Sequence, residues 1–428
     1  MQKKDRPGSL RSTTQSVDHL GSSAPFAPSA VKQIGATPPS LRSVTSVVET
    51  QRPLDGLRVV ALEQAVAAPF CSRQLADLGA DVIKIERPDG GDSARSYDGA
   101  LNGVSAYFAW LNRGKKSVVL DLKQELERDA ASRLIDRADV VVSNLAPGAM
   151  ERLGFGYDDV ASRNPRVVWC AITGYGPDGP MRDRKAYDML VQGESGVVSV
   201  TGGGDTPAKV GISIADIGAG MYAYSSILAA LYARERTGKG ERIDVSMLEC
   251  LTEWMTPALY VWHGTQRIVA RAGVRHNMIV PYGAYACADG DVMFAIQTDR
   301  EWRRFCAEVM ESPSLADDGR FATNAKRVEH RVALESMIEA RFATRTRAAV
   351  MASLERADLA TGAVNDVPAV MAHEQLAARK RWTTVDSPGG EIPALLPPHN
   401  LHHVTPHMGR VPALGEHTRD VLATLGDR

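Results

Sequence analysis

The sequence predicts an α/β protein with a parallel sheet covered on both faces, followed by a smaller α+β domain. Three observations carry that expectation. Short apolar runs alternate with longer amphipathic stretches from residue 57 to residue 247, the pattern of strands joined by crossover helices. A length of 428 residues exceeds what one ordinary core organises. Beyond residue 275 the pattern changes to paired runs around an Asp289-Gly290 turn, as in an antiparallel hairpin.

Residues 1–50 are rich in Ser, Thr, Pro and Gln, lack periodicity, and are expected to be a disordered extension. Asp5, Asp18 and the prolines argue against a transit peptide, and no apolar h-region of a secretory signal is present. Order is expected to begin at Pro53-Leu54-Asp55-Gly56. Residues 57–62 form a buried strand, followed by a helix carrying Cys71, Leu75 and Leu78. A second strand over 81–85 ends at Glu86-Arg87-Pro88, and a third over 117–120 precedes a charged helix over about 124–137. Strands over 140–144 and 166–172 follow. A strand-like run over 210–215 turns into a long helix, and Thr237-Gly238-Lys239-Gly240 turns the chain into a strand over 242–247. The large domain thus spans 51–248, completed by 390–428. A linker covers 249–274, opening on a helical stretch over 249–262, then come the small domain over 275–370 and a return linker over 371–389. The small domain carries strands over 281–285 and 291–296 and helices with Trp302, Phe305, Leu334 and Met337. A short helix follows Gly415-Glu416-His417-Thr418.

Composition excludes several classes. A formal charge of −1 argues against nucleic acid or an anionic membrane as the main partner. No run of about 18 uncharged apolar residues suggests a membrane span. The five cysteines are scattered without a Cys-x-x-Cys pair, which fits a reducing cytoplasm and no zinc or disulfide framework. His399, His402, His403 and His407 lie in a Pro-rich loop without ligand spacing, so no metal is expected. The first strand–helix–strand unit resembles a dinucleotide fold, but its turn reads Glu63-Gln64-Ala65-Val66-Ala67-Ala68-Pro69. Without the glycine fingerprint a pyrophosphate has no seat there, which argues against NAD. Gly202-Gly203-Gly204 lacks the Lys-Ser/Thr of a phosphate loop and reads as a flexible turn or lid.

Asp216 stands out. It sits at the start of the long helix, with Gly218, Ala219 and Gly220 leaving its carboxylate open to a bulky ligand. Free N–H groups and the helix dipole favour the ionised form, which a carboxylate nucleophile requires. The same position equally suits an ordinary N-cap, since Asp is a preferred cap.

Several motifs in order resemble those of the class III CoA-transferase family, also called the CaiB/BaiF or carnitine-dehydratase family. They are 53–60 (PLDGLRVV), 78–88 (LGADVIKIERP) and 111–117 (LNRGKKS), then Pro147-Gly148 with Leu153-Gly154-Phe155, and 172–177 (ITGYGP). Lys185-Ala186-Tyr187-Asp188, Thr237-Gly238-Lys239-Gly240 and Gly415-Glu416-His417-Thr418 complete the series. The resemblance covers the chain from about Pro53 onward. It implies a Rossmann-like large domain, a small domain, and two chains interlocked as a homodimer. It also implies that the C-terminal segment returns to the large domain.

On that resemblance Asp216 is the catalytic aspartate, attacking an acyl-CoA thioester to form a mixed anhydride and then an aspartyl-CoA thioester. Coenzyme A and its acyl esters are then substrates, with no permanently bound cofactor. CoA needs cations for its phosphates and apolar walls for adenine and pantetheine. By family position, Gln64, Ala65, Val66 and Ala67 line the first turn near the thioester. Arg87, Leu120 and Lys123 surround the adenosine phosphate and base. Asn144, Leu145 and Arg152 hold pantetheine and pyrophosphate, and Lys185, Tyr187 and Asp188 lie nearer the reacting end. Asp188 reads either as a second acid near the thioester or as the cap of a following helix.

The rival reading is an α-methylacyl-CoA racemase, which needs two proton carriers. Those relatives carry His immediately before the Asp that corresponds to Asp188, whereas this chain has Tyr187. A catalytically silent CoA-binding protein is a second alternative, opposed by the presence of Asp216. The run 61–70 and the residues Arg271, Arg275 and His276 resemble the branch that handles C4–C5 dicarboxylates. There Arg275 or His276 is expected to face the distal carboxylate.

Overall fold

The computed structural model describes residues 52–426; the expected extension over 1–50 lies outside them. Six strands form one parallel sheet: β1 (Arg58–Leu62), β2 (Asp81–Glu86), β3 (Lys116–Val119), β4 (Val140–Ser143), β5 (Val168–Thr173) and β6 (Glu241–Ser246). Their order is β3-β2-β1-β4-β5-β6, with Val59 paired to Val82 on one side and Val140 on the other. The strand order reverses between β1 and β4, so a crevice opens there at the carboxyl ends.

Alternate residues of each strand serve opposite layers, which is why the strands read as unbroken apolar runs. Val59, Val82, Val140, Val142 and Cys170 pack with α1 (Ala67–Asp77) and with the long helix described below. Val60, Ile83, Val141 and Trp169 pack on the other face with α2 (Glu125–Asp136) through Ala131, Leu134 and Ile135.

Next come α3 (Asp188–Glu194), α4 (Ile214–Thr237), α5 (Met247–Trp254) and α6 (Thr256–Thr265). The 24-residue α4, with mean hydropathy 1.3, is long and apolar enough to cross a membrane by length and composition. Its apolarity here serves packing: Ala219, Ala223 and Ile227 are buried in the core shared with α1. Gly220 makes the close approach possible, since a Cβ there would stand 2.7 Å from the Ala67 carbonyl oxygen and 3.0 Å from Phe70.

Two expectations are corrected. The run over 210–215 forms no strand, and α4 begins at Ile214, so Asp216 lies inside the first turn instead of capping it. The stretch over 249–262 is two helices, because Pro257 begins a new one at a position where its missing N–H costs nothing.

The small domain has strands β7 (Tyr282–Cys287), β8 (Gly290–Ala295) and β9 (Ala360–Gly362), antiparallel in the order β9-β8-β7. Helices α7 (Arg331–Phe342) and α8 (Arg347–Arg356) cover it through Leu334, Ile338, Phe342, Val350 and Leu354. A further hairpin, β10 (Trp382–Ser387) with β11 (Gly390–Leu395), begins inside the segment read as a linker. Its Val385 and Ile392 pack on Ala94 and Phe108 beside the large sheet. The last helix, α9 (Thr418–Ala423), is tied to β3 by hydrogen bonds: the Gly415 N–H donates to Ser117 Oγ (2.9 Å) and the Val119 N–H to Thr418 Oγ1 (2.9 Å).

Candidate active site

The crevice between β1 and β4 is shaped by hydrogen bonds to the turn that leaves β1. Asn144, just past β4, accepts from the Gln64 N–H (2.9 Å) and donates to the Gln64 carbonyl (2.8 Å). Ala65 holds a left-handed backbone (φ 60°) that a side chain disfavours, and Asp92 Oδ1 secures it by accepting the Ala65 N–H at 2.9 Å. Asn144 was expected to face pantetheine; it is engaged first in building the turn.

Beneath that turn lies a buried ionic cluster that sequence reasoning missed. Lys84 Nζ contacts Asp92 Oδ2 at 2.8 Å and Glu63 Oε1 at 3.3 Å, while Lys115 Nζ contacts Glu63 Oε1 at 2.6 Å. Ser72 donates to the other Glu63 oxygen at 2.7 Å. Burial pushes Glu63 toward its neutral form, but the two ammonium groups outweigh it and hold its carboxyl below the usual range. Burial also lowers Lys115 to about 8, against the pull of Glu63. Alternating Lys and Ile in β2 was the available signal, because Lys84 stands at a buried strand position.

Over the carboxyl ends of β1, β2 and β3 opens a cavity of about 290 Å³, and Gln64, Arg87, Leu120, Lys123 and Leu145 all line it. Five expected residues are thus brought together by strand order alone. Arg87 is half-exposed; its Nε donates to the Gly91 carbonyl (2.9 Å) and faces Asp89 at 3.4 Å. Lys123 is exposed. Val66 and Ala67 sit at the start of α1, which has no side-chain cap, so its first N–H groups stay available. Arg152 is exposed beyond the cavity, its guanidinium no closer than 3.5 Å to the Pro147 carbonyl. Lys185 and Tyr187 are exposed on the loop before α3.

Asp188 acts as a cap, though of a later helix than the one it opens. It opens α3, but its Oδ1 accepts the N–H groups of Ala215 (2.8 Å) and Asp216 (3.3 Å), so it caps α4 from another element. Its Oδ2 accepts from Gln192 Nε2 at 2.7 Å. Gln192, another missed residue, is fully buried and also accepts the Val210 N–H at 2.9 Å. The Asp216 carboxyl accepts no hydrogen bond among the described residues and lies half-buried. Burial, reinforced by the neighbouring Asp188 carboxylate, raises it to about 7. Desolvation and a like charge thus oppose the helix terminus, and the carboxyl ionises about neutrality instead of in the usual carboxylate range.

The small-domain cations do not serve as expected. Arg275 is neutralised by Glu335 (2.7 Å) and Glu339 and lies over the Tyr285 ring. His276 stacks on Tyr282, and its Nδ1 accepts the Met278 N–H at 3.0 Å. Burial, with Arg331 nearby, lowers the His276 imidazole from its ordinary value. Arg275 already has two carboxylate partners. Arg271 is also committed, donating to the carbonyls of Gly204 (2.9 Å) and Ser199 (3.1 Å).

The description of CoA-transferase family III matches residues 54–418. The succinate–glutarate CoA-transferase of Agrobacterium fabrum is 34% identical, over 89% of this chain and 98% of its own. The acetyl-CoA:oxalate CoA-transferase of Acetobacter aceti is 37% identical, over 78% and 86%. The succinyl-CoA:mesaconate CoA-transferase of Haloarcula hispanica is 33% identical, over 87% and 96%. Among solved structures, a CaiB/BaiF family protein from Brucella suis is similar with a TM-score of 0.76 and 34% identity, covering 88% of this chain and 100% of its own.

Proposed function

The chain belongs to CoA-transferase family III, and on that premise we propose that it moves CoA from an acyl-CoA donor to a dicarboxylate acceptor through covalent intermediates on Asp216. It is a CoA-transferase, and CoA thioesters are its substrates. The observation that carries the mechanism is the Asp216 carboxyl itself, with no hydrogen-bond partner among the described residues at the start of a long helix, while its neighbour Asp188 spends both oxygens on structure.

The ionised Asp216 oxygen attacks the thioester carbonyl. A C–O bond forms, the C–S bond breaks, and CoA leaves as thiolate from a mixed anhydride. The thiolate then attacks the Asp216 carbonyl, releasing the donor carboxylate and leaving an aspartyl-CoA thioester. The acceptor carboxylate attacks that thioester and expels the thiolate, which attacks the acceptor acyl carbon and frees Asp216. Each step exchanges one acyl bond for another, and no net proton is consumed. Each oxyanion needs N–H donors, and the uncapped start of α1 offers them. Gly220 brings that helix start against the turn of α4 that follows Asp216.

The dicarboxylate reading draws on the relatives named for succinate, glutarate, oxalate and mesaconate. A second carboxylate needs a cation that is not already neutralised. Arg275 is neutralised, whereas Lys185, on the loop leading to Asp188, is exposed and makes no ion pair among the described residues. Lys185 thus becomes the favoured partner in place of Arg275 or His276. Trp254, Leu259, Tyr260 and Trp262 on α5 and α6 are exposed apolar side chains, and a second copy of the chain is the expected cover.

The test is trapping. Incubation with succinyl-CoA and hydroxylamine should release CoA and leave a hydroxamate at Asp216, detected by peptide mass spectrometry. Turnover without any adduct at Asp216 would refute the mechanism. In D2O, deuterium entering the α-position of an acyl-CoA without CoA exchange would favour the racemase.

A further inference from the structure

We propose that Gln192 is a positioning residue for the transfer: through Asp188 and the segment entering α4, it holds Asp216 where the thioester carbonyl arrives. The proposal rests on Asp216 being the nucleophile.

A glutamine with no exposed surface must satisfy both ends of its amide inside the protein. Gln192 does so with groups that all bear on one spot. Its Nε2 donates to Asp188 Oδ2 at 2.7 Å and points to the Ile212 carbonyl at 3.4 Å. Its Oε1 accepts the Val210 N–H at 2.9 Å. Asp188 in turn receives the first N–H groups of α4 on its other oxygen. One amide therefore joins the acid that caps α4 to the backbone that leads into it.

The geometry explains why this matters. Residues 210–213 belong to no helix or strand; their own backbone contributes only the Ile212 carbonyl to the Ile214 N–H (2.8 Å) and the Ser213 carbonyl to the Ile217 N–H (2.9 Å), so the Gln192 and Asp188 bonds supply the remaining ties where α4 begins. Asp188 without its Gln192 bond is free to rotate its carboxylate away from the Ala215 and Asp216 N–H groups. The Asp216 carboxyl makes no hydrogen bond among the described residues, so its placement depends on the helix start to which Gln192 and Asp188 contribute. Displacing a reacting group by about 1 Å can cost on the order of 100-fold in rate.

The donor–acceptor pattern supplies a test with a change of sign. Gln192→Glu keeps an acceptor for Val210 but turns a carboxylate against Asp188. In the otherwise natural protein it should lower kcat about 10- to 100-fold, with the KM for succinyl-CoA changed by less than about twofold. Asp188→Asn alone should also lower kcat, because its amide N–H then opposes the Gln192 N–H. Combining the two reverses the donor and acceptor and restores the pairing. Gln192→Glu in the Asp188→Asn protein should therefore raise kcat by about tenfold over Asp188→Asn alone. Residues that act independently predict losses that add, without recovery, and a pairing that only stabilises the fold predicts a change in melting temperature without the fall in kcat at constant KM.

Thermal melts and CoA titration verify that each variant folds and binds. Additive losses in the combined variant, or a Gln192→Met protein with kcat within about twofold of the natural one, would overturn the proposal. If Gln192→Met does not fold, the comparison of Gln192→Glu in the two backgrounds decides alone. Asp216→Ala measured in parallel separates the two readings. Turnover surviving in it defeats the nucleophile assignment, whereas a dead Asp216→Ala beside an unaffected Gln192→Met defeats only the role of Gln192.

Discussion

Asp216 shows how far a residue can be read before its surroundings are known. Its helix-start position was legible, and so was the open space around it. Its charge state was not, because that depends on burial and then on Asp188, which reaches it from another element. With the carboxyl raised to about 7 by burial and by Asp188, the ionised nucleophile becomes more abundant as pH rises. We expect kcat/KM to climb with pH through about 7 and to level off above, as measured in a pH–rate profile with a slowly exchanging donor. Asp188→Asn removes the like charge, so the midpoint of that limb should move to lower pH even though turnover falls overall. An unmoved midpoint would leave burial as the sole cause. The same shift has a stability consequence. Ionising Asp216 costs free energy in the folded state only, so Asp216→Asn should stabilise the protein by roughly 1–3 kcal/mol at about pH 8. The gain should vanish below about pH 4, where the carboxyl is neutral folded or unfolded; urea titrations at the two pH values check it.

At the scale of elements, strands were the readable part. Each is an apolar run whose alternate residues serve two cores, and that redundancy leaves a strong signal. Helix starts were less legible when their caps come from elsewhere. The start of α4 is determined by Asp188, 26 residues before Ile214, which no local pattern announces. Packing between α1 and α4 was likewise hidden in a single glycine. Gly220→Ala puts a Cβ 2.7 Å from the Ala67 carbonyl, where backbone must move. We expect a loss of about 1–3 kcal/mol in urea unfolding and a lower kcat, since the same contact seats α1 beside the catalytic turn. A variant with unchanged stability and rate would show that the two helices separate freely. Lys84→Met leaves Asp92 and Glu63 without their shared cation, and about 3–5 kcal/mol of destabilisation should follow in thermal or urea melts.

Across the whole molecule the chain must return to complete its first domain. Ser117, on β3, accepts the Gly415 N–H and donates to Glu86 Oε1 at 2.6 Å, linking the C-terminal segment to the sheet. Burial opposes charge on Glu86, yet the Arg95 guanidinium, Lys84 and the Ser117 hydroxyl together hold its carboxyl down to about 2. A depressed carboxyl stabilises the fold above its unfolded value of 4.5, and the contribution is lost as pH falls toward about 2. Ser117→Ala should therefore cost roughly 1–3 kcal/mol at neutral pH and raise the pH at which acid unfolding begins, followed by circular dichroism.

The sequence by itself determined the α/β class, the six strands of the parallel sheet, the family motifs and five of the residues that line the crevice. Gln64, Arg87, Leu120, Lys123 and Leu145 meet there because a parallel sheet gathers the carboxyl ends of its strands, whatever the loops do. Tertiary structure decided what each charged side chain is free to do. Arg275 reads as an available cation until Glu335 and Glu339 neutralise it, and Asp188 reads as a local cap until it closes the start of a distant helix. Apolar periodicity is carried by many residues and survives in one dimension. Ion pairs and caps are made by two groups far apart in the chain, so their partners become visible only once the fold brings them within about 3 Å.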